Sequence, residues 1–552
     1  MVVERKVFLF VLHKKFMATN SEEIFKKFKE HSIAEFFKKN RQMLGYSGEA
    51  RSLTTIVHEY VTNSLDACEE AGILPSIKVE IKEVGEKRYK ISVEDNGPGI
   101  PEQFIGKALA HMLSGTKFNR YMQQRGQQGI GASGCTLYAL LTTGKPIKVI
   151  SGTEKGAFEC ELSIDLKSNQ PLILNKKNFD INFRGLKVEG EFGDLKYEKS
   201  SHGPEEYLKR TAVANPHAEI EFTTPEGKKI VWPRIIDKIP KRPKEIKPHP
   251  LGVEVHDLLE LARKSEQRKV RSFLISALSR MSNEKVNELQ SKVDFSLDKD
   301  PKELTWEEAE KIVKAFKQMK FIAPEMDSVI GIGKEQIEKS LKNIYAPEFV
   351  IAEERKPKVF RGGIPFMVEV GIAYGGGAGR KEDEQIKAEV LRFANRVPLL
   401  FDGSICAITQ AVKSIAWQRY GIKDFENSPI VVFVNLSSVY VPYQSTGKQA
   451  IVEEEEIVNE IKLALMDIAR KLQVFLHKKS YAHEAESKKK TLLKYIAQLS
   501  QDLGYLTKED PQKIEEKIRS IIEKRYKQTT MDSAGFEPAA SSSQRRRSTI
   551  EL

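Results

Sequence analysis

Glu59-Tyr60-Val61-Thr62-Asn63-Ser64-Leu65-Asp66-Ala67, then Asp95-Asn96-Gly97-Pro98-Gly99-Ile100, then Gly126-Gln127-Gln128-Gly129-Ile130-Gly131-Ala132-Ser133-Gly134 are the segments on which the fold turns. The first sits in a helix predicted over residues 50–72, where Val57, Val61 and Cys68 recur at helical spacing and Gly72 follows the end. Glu59, Asn63 and Asp66 stand at i, i+4 and i+7 and share one face. A carboxamide there can offer its oxygen to a hard cation such as Mg²⁺. A carboxylate can take a proton from an attacking water. Taken singly, the triplet also reads as a polar face in solvent. The second segment follows an apolar strand. A carboxylate at a strand end can accept from an exocyclic amine such as that of adenine, and Gly97 and Gly99 allow close backbone approach to a flat ring. Alone it also reads as a simple turn. The third opens a helix with spaced glycines, exposing N–H groups to phosphate.

Working outward, strands are predicted at 77–81 and 89–93, joined by a turn over 84–87, with further strands at 147–150, 157–164 and 186–192 and a hairpin around residues 225–227. A basic connector with four prolines spans 238–250, and a compact helical stretch follows to about 335. Beyond a second Lys/Pro-rich linker, strands at 366–373 and 430–436 enclose a helix near 405–417, which implies a second α/β domain. A charged, heptad-like helix covers 452–487, and residues 531–552 read as a disordered, Arg-ending tail.

Composition narrows the function classes. The 552 residues are 40% apolar and 30% charged, and 89 Lys+Arg against 77 Asp+Glu leave a net charge of +12. That surplus favours a polyanion partner such as nucleic acid. Four dispersed cysteines, Cys68, Cys135, Cys160 and Cys406, form no CxxC pair, which speaks against a zinc site or a disulfide framework and for a reducing cytoplasm. The early apolar run Val7–Leu12 is too short to span a membrane. Met17 reads as a second start, so residues 1–16 are expected to be an extension. No GxxxxGK[ST] occurs, which excludes a P-loop.

In this order, the Glu-x-x-x-Asn helix, Asp-x-Gly-x-Gly and the glycine loop resemble the nucleotide site of the Bergerat-fold (GHKL) ATPases. Within that superfamily, Ser114–Phe118 with Arg125–Gly129 looks like the lid of topoisomerase VI B subunits, of the type IIB DNA topoisomerases. So do Arg210–Ala218 and Arg392–Leu400, and Val439–Lys448 matches the family's transducer loop. The resemblance covers most of residues 20–490. It implies an α+β multi-domain chain: a possible extension at 1–17, a Bergerat ATPase α/β sandwich at 18–240, a helix-two-turn-helix domain at 241–335, a transducer with a long helix at 336–490, and a helical then disordered tail at 491–552.

The resemblance also implies ATP and Mg²⁺ as cofactors. Glu59 would be the general base, Asn63 the Mg²⁺ ligand, and Asp95 the adenine reader. Nucleotide-binding positions would further include Asp66, Gly99, Thr116, Lys117, Gly126, Gln127, Gln128, Gly129, Ile130, Gly131 and Ala132, with Lys448 reaching the γ-phosphate. It implies an A2B2 heterotetramer with an A subunit that holds the cleaving tyrosine, ATP-dependent dimerisation of B around double-stranded DNA, no membrane, and a cytoplasmic, nucleoid-associated location. The long helix would dock the A subunit. Relatives commonly carry Gly-Thr where this chain reads Gly185-Leu186, so one polar contact is expected to be missing. No additional β-sandwich is expected after 490. The rival readings are a mismatch-repair or chaperone-like ATPase and a non-hydrolysing DNA clamp. Glu59 speaks against the clamp, because a pure binder needs no base there.

Overall fold

The computed structural model of the chain describes residues 32–115, 120–126, 129–179, 183–382 and 385–534. The expected extension at 1–17, the site positions Thr116, Lys117, Gln127 and Gln128, and the tail beyond Ala534 lie outside these residues.

The first domain is one eight-stranded sheet covered on one face by helices. Helix α1 (Ile33–Lys39) precedes α2 (Glu49–Glu70), then β1 (Ser76–Gly85), β2 (Arg88–Asp95), α3 (Glu102–Leu109) and α4 (Gly131–Thr143). The chain continues through β3 (Ile147–Thr153), β4 (Gly156–Ile164), β5 (Pro171–Phe179), β6 (Gly185–Phe192), α5 (Pro204–Ala214), β7 (Glu219–Thr223) and β8 (Lys229–Trp232). Strand order is β5-β4-β3-β6-β2-β1-β7-β8, antiparallel except where β1 runs parallel to β7. Helix α2 forms because Leu53, Val57, Val61 and Leu65 recur every four residues and are buried against the sheet. Its other face carries the polar triplet, with Asn63 exposed, Glu59 half-buried and Asp66 buried. Strand β5 was not expected. It is an edge strand whose Leu172, Ile173 and Leu174 are exposed, so no alternation marks it.

After the proline-rich connector, four short helices close on their own core: α6 (Val255–Lys264), α7 (Val270–Ala277), α8 (Asn283–Gln290) and α9 (Trp306–Lys317). Thr305 caps α9 in a reciprocal capping box with Glu308.

Helix α10 (Lys334–Tyr345) leads into the second sheet. This contains β9 (Phe349–Glu354), β10 (Lys358–Phe360) and β11 (Ile364–Tyr374). A two-stranded ribbon, β12 (Arg380–Glu382) and β13 (Gln385–Lys387), precedes β14 (Glu389–Ala394) and β15 (Val397–Pro398). Helix α11 (Ala407–Lys413) then crosses to β16 (Ile430–Ser438), which pairs parallel with β14. Every residue of β16 is buried, as befits a central strand covered on both faces.

The last elements differ from expectation. Helix α12 (Glu455–Thr507) runs 53 residues without a break at 490, and α13 (Pro511–Ala534) folds back on it. Met531–Ala534, expected in a disordered tail, are its last turn. The first third of α12 packs Ile457, Ile461, Leu465, Ile468 and Leu472 onto the second sheet. Phe475 and Leu476 extend that contact, and Lys479 pairs with Glu348; beyond this point the apolar positions thin to the few that meet α13, such as Ile496 and Gly504. That thinning is why the periodicity fades before the helix does.

Candidate functional site

Helix α2, the end of β2, the start of α4 and a loop of the second α/β domain converge on two joined cavities. The larger, about 450 Å³, is lined by Arg51, Thr55, His58, Glu59 and Asn63 of α2, by Arg125, Gly126 and Gly129–Ala132, and by Tyr443 and Thr446–Gln449 of the second domain. The smaller, about 180 Å³, is lined by Tyr60, Asn63, Ser64, Val93, Asp95, Gly99, Ile100 and Leu186. Asn63, Ala108 and Ala132 line both.

Glu59 and the uncapped N-terminus of α4 are in close approach. A Cβ built on Gly131 would fall 1.9 Å from Oε2 of Glu59, so the carboxylate keeps this place only because residue 131 has no side chain. His58 precedes it, stacked edge-on against Tyr207. Burial lowers the His58 pKa, and the Lys448 charge acts in the same direction against the Glu59 carboxylate. This imidazole is therefore neutral.

Asp95 is buried at the end of β2. Its carboxylate accepts from Ser64 Oγ at 2.6 Å, from Gly97 N–H at 2.9 Å and from Leu186 N–H at 3.1 Å. Burial raises its pKa against these three donors. The Leu186 position resolves one sequence expectation. Its side chain forms an apolar wall of the smaller cavity, so a hydroxyl is absent, while its backbone still supplies a hydrogen bond to Asp95. Two glycines make this corner possible. Gly99 has φ +69° with a built Cβ 2.2 Å from the Gly152 carbonyl oxygen, and Gly185 has φ +131° with a built Cβ 1.9 Å from the Asp95 carbonyl oxygen. Gly185→Ala is therefore expected to destabilise the first domain by about 1–3 kcal/mol and to weaken ligand binding in the smaller cavity. A thermal melt indistinguishable from that of the parent chain would contradict this.

Lys448 comes from the second domain, at φ +52° in the tight loop between Gln444 and Ala450, and lines the larger cavity with Glu59. Thr446 Oγ donates to the Met43 carbonyl at 2.9 Å, tying this loop to the first domain.

Asp66 does not line either cavity. It shares a face with Glu59 but lies two helical turns, about 10 Å, further along the axis. There its carboxylate meets Arg125 at 2.7 Å. Arg125 is buried and also bonds Glu69 at 2.6 Å and Asn215 Oδ1 at 2.7 Å. His217 Nε2 reaches Glu69 at 2.8 Å, and Arg396 of the second domain approaches it at 3.6 Å. Burial alone would raise the Glu69 pKa, but the Arg125 charge, the His217 hydrogen bond and the Arg396 charge hold it well below the usual carboxylate range. Burial keeps His217 neutral. The neighbouring residues continue the link: Gln123 Nε2 donates to Ser437 Oγ at 3.2 Å, and Asn395 Nδ2 donates to the Gln124 carbonyl at 2.9 Å.

Sequence reasoning missed Ser64, Arg51 and His58 as parts of this site. Ser64 and His58 adjoin residues already singled out, but nothing in the linear sequence marks what they face. Arg51 meets Asp402, 351 positions away.

Comparison with known proteins agrees with this architecture. Residues 48–168 match the family described as "Histidine kinase-, DNA gyrase B-, and HSP90-like ATPase", and residues 324–489 match "Topoisomerase VI B subunit, transducer". The chain is 49% identical over 501 residues to the B subunit of type 2 DNA topoisomerase 6 from Methanothermobacter thermautotrophicus, covering 90% of this chain and 96% of that protein. It is 46% identical over 567 residues to the protein of the same name from Pyrococcus horikoshii, covering 94% and 99%. Among the described residues no helix is long and apolar enough to cross a membrane.

Proposed function

Because the chain belongs to the family of type 2 DNA topoisomerase 6 B subunits, and so is the ATP-driven subunit of a type II DNA topoisomerase, we propose that the joined cavities hold ATP with its adenine against Asp95. The triphosphate then lies in the larger cavity over Gly126–Ala132, where the α4 N-terminus offers N–H groups and a favourable dipole. The observation that carries this reading is one carboxylate, Glu59, held against Gly131 in the same cavity as a cation, Lys448, from another domain.

Asn63 is exposed at the junction of the two cavities, and its side-chain oxygen would ligate Mg²⁺. The donor set fits. Asn63 offers a neutral carboxamide oxygen at the mouth of the triphosphate cavity, and Mg²⁺ commonly takes one or two protein oxygens beside water and phosphate. Held by Asn63, the ion would supply charge neutralisation at the phosphates. Glu59 orients a water and takes its proton. Lys448 stabilises negative charge at the γ-phosphate, and its contact lasts only while that group is present, so the second domain senses hydrolysis. Thr116, Lys117, Gln127 and Gln128, which the resemblance adds to the phosphate site, lie outside the described residues.

On this reading ATP closes two copies of the chain around duplex DNA, hydrolysis reopens them, and an A subunit cuts the second duplex within an A2B2 assembly. The mildly basic balance, +12 overall, favours such a partner. Sizing the full chain with a non-hydrolysable ATP analogue tests the clamp. A dimer is expected with analogue and Mg²⁺, and a monomer once EDTA removes the ion. A chain that stays monomeric at saturating analogue and Mg²⁺ would remove the clamp from the account.

A further inference from the structure

Lys448 can report on the γ-phosphate only if its loop is held at a fixed distance from Glu59, and the bonds that hold it form a continuous chain. Arg51 lies on α2, eight residues before Glu59, or about 12 Å along a rigid helix. Its guanidinium forms a two-pronged bond to Asp402, at 3.2 and 3.1 Å, and sits 4.5 Å from the Phe401 ring centre. Asp402 adopts φ +55°, which turns its carboxylate out of the loop. The same loop is stitched to the Lys448 loop. Gln449 Oε1 accepts from Leu400 N–H at 3.1 Å and Phe401 N–H at 3.2 Å, and Arg392 donates to the Phe401 carbonyl at 2.9 Å and the Gln449 carbonyl at 3.4 Å. A Cβ on Gly447 would lie 3.8 Å from Arg51 Nη2, so the Lys448 loop passes beside the Arg51 guanidinium.

We propose that Arg51, Asp402 and Gln449 are positioning residues that set the register of Lys448 against Glu59, so that the lysine meets the γ-phosphate when the general base is aligned for attack. This rests on the role assigned to Lys448 above. A fork-shaped guanidinium–carboxylate pair is suited to the task, because two parallel bonds fix orientation as well as distance. The ring of Phe401 beneath it restricts the guanidinium further.

The test is a double-mutant cycle on the full chain, with turnover and affinity for a fluorescent ATP analogue measured separately. Asp402→Asn and Gln449→Ala are each expected to lower kcat about tenfold while analogue affinity stays within about twofold, since Asp402 lines neither cavity and the side-chain oxygen of Gln449 is taken up by the Leu400 and Phe401 N–H groups. In the Lys448→Ala background, each second change is expected to add nothing, because the lysine it positions is gone. Independent, multiplicative losses in the double variants would overturn the proposal, as would a fall in affinity that parallels the fall in kcat. If Asp402→Asn fails to fold, Gln449→Ala carries the test, because it leaves the ion pair intact. If Lys448→Ala alone matches the parent chain, the lysine's assigned role fails, and the proposal with it. Losses that multiply while Lys448→Ala remains slow would overturn the positioning role alone.

Discussion

Glu59→Gln is expected to bind ATP nearly as well as the parent chain and to hydrolyse it about 10²–10⁴-fold more slowly, the range that positioned general bases contribute. The substitution isolates the chemistry. Glutamine has the volume of glutamate, so it fits the same gap beside Gly131, and the packing of α2 on α4 is undisturbed. What disappears is the capacity to take a proton from water. Because Asp95 and the α4 N-terminus are untouched, nucleotide should still close the dimer, and the variant should accumulate as a closed, ATP-loaded species. Single-turnover hydrolysis with a parallel sizing run checks both halves. A variant that retains more than about a tenth of parental turnover would assign the base elsewhere.

Arg125→Met is expected to destabilise the chain by about 3–5 kcal/mol, the cost typical of leaving buried charges unpaired. Arg125 is the cation between Asp66 and Glu69, and both carboxylates are shielded from water. The pH dependence has a definite sign. In the parent chain Glu69 ionises well below its ordinary value, so its contribution is present above about pH 4.3 and is lost as pH falls through the folded value. Without Arg125, burial pushes the Glu69 carboxyl upward, and His217 gains a reason to take a proton beside it. The variant therefore loses most at neutral pH, and the gap to the parent chain narrows below about pH 5. Urea unfolding at pH 7.5 and pH 5 measures this. An equal difference at both would show that lost packing, rather than unpaired charge, is responsible.

What could be read from the sequence was local. Helix α2 announced itself by apolar spacing, and Glu59 and Asn63 followed from one turn of helical geometry. Asp95 sat legibly at a strand end before two glycines. Spacing failed where the partner is distant in sequence. It placed Asp66 on the right face, but not beyond the cavity, where Arg125 waits. It could not pair Arg51 with Asp402, or show that the backbone N–H of Leu186 donates to Asp95. The stretches Arg210–Ala218 and Arg392–Leu400 were distinctive as motifs long before their work was visible. In the structure they supply Asn215, Asn395 and Arg396, which fasten the first domain to the second, and His217, which holds Glu69 within the first. Strand β5 was hidden because an exposed edge imposes no alternation.

The unbroken helix α12 has a mechanical consequence. Its last contact with the second domain is Lys479 on Glu348, and some 28 residues, about 42 Å of helix, extend beyond it. The returning α13 stiffens that overhang by doubling its cross-section over the distal part. A tilt of the anchored end by about 10° would sweep the tip at Thr507 through about 7 Å, whereas the residues around Lys479 would barely shift. Displacements of an ångström or two at a nucleotide would thus arrive at the far end as several ångströms of travel, with no hinge along the way to dissipate them.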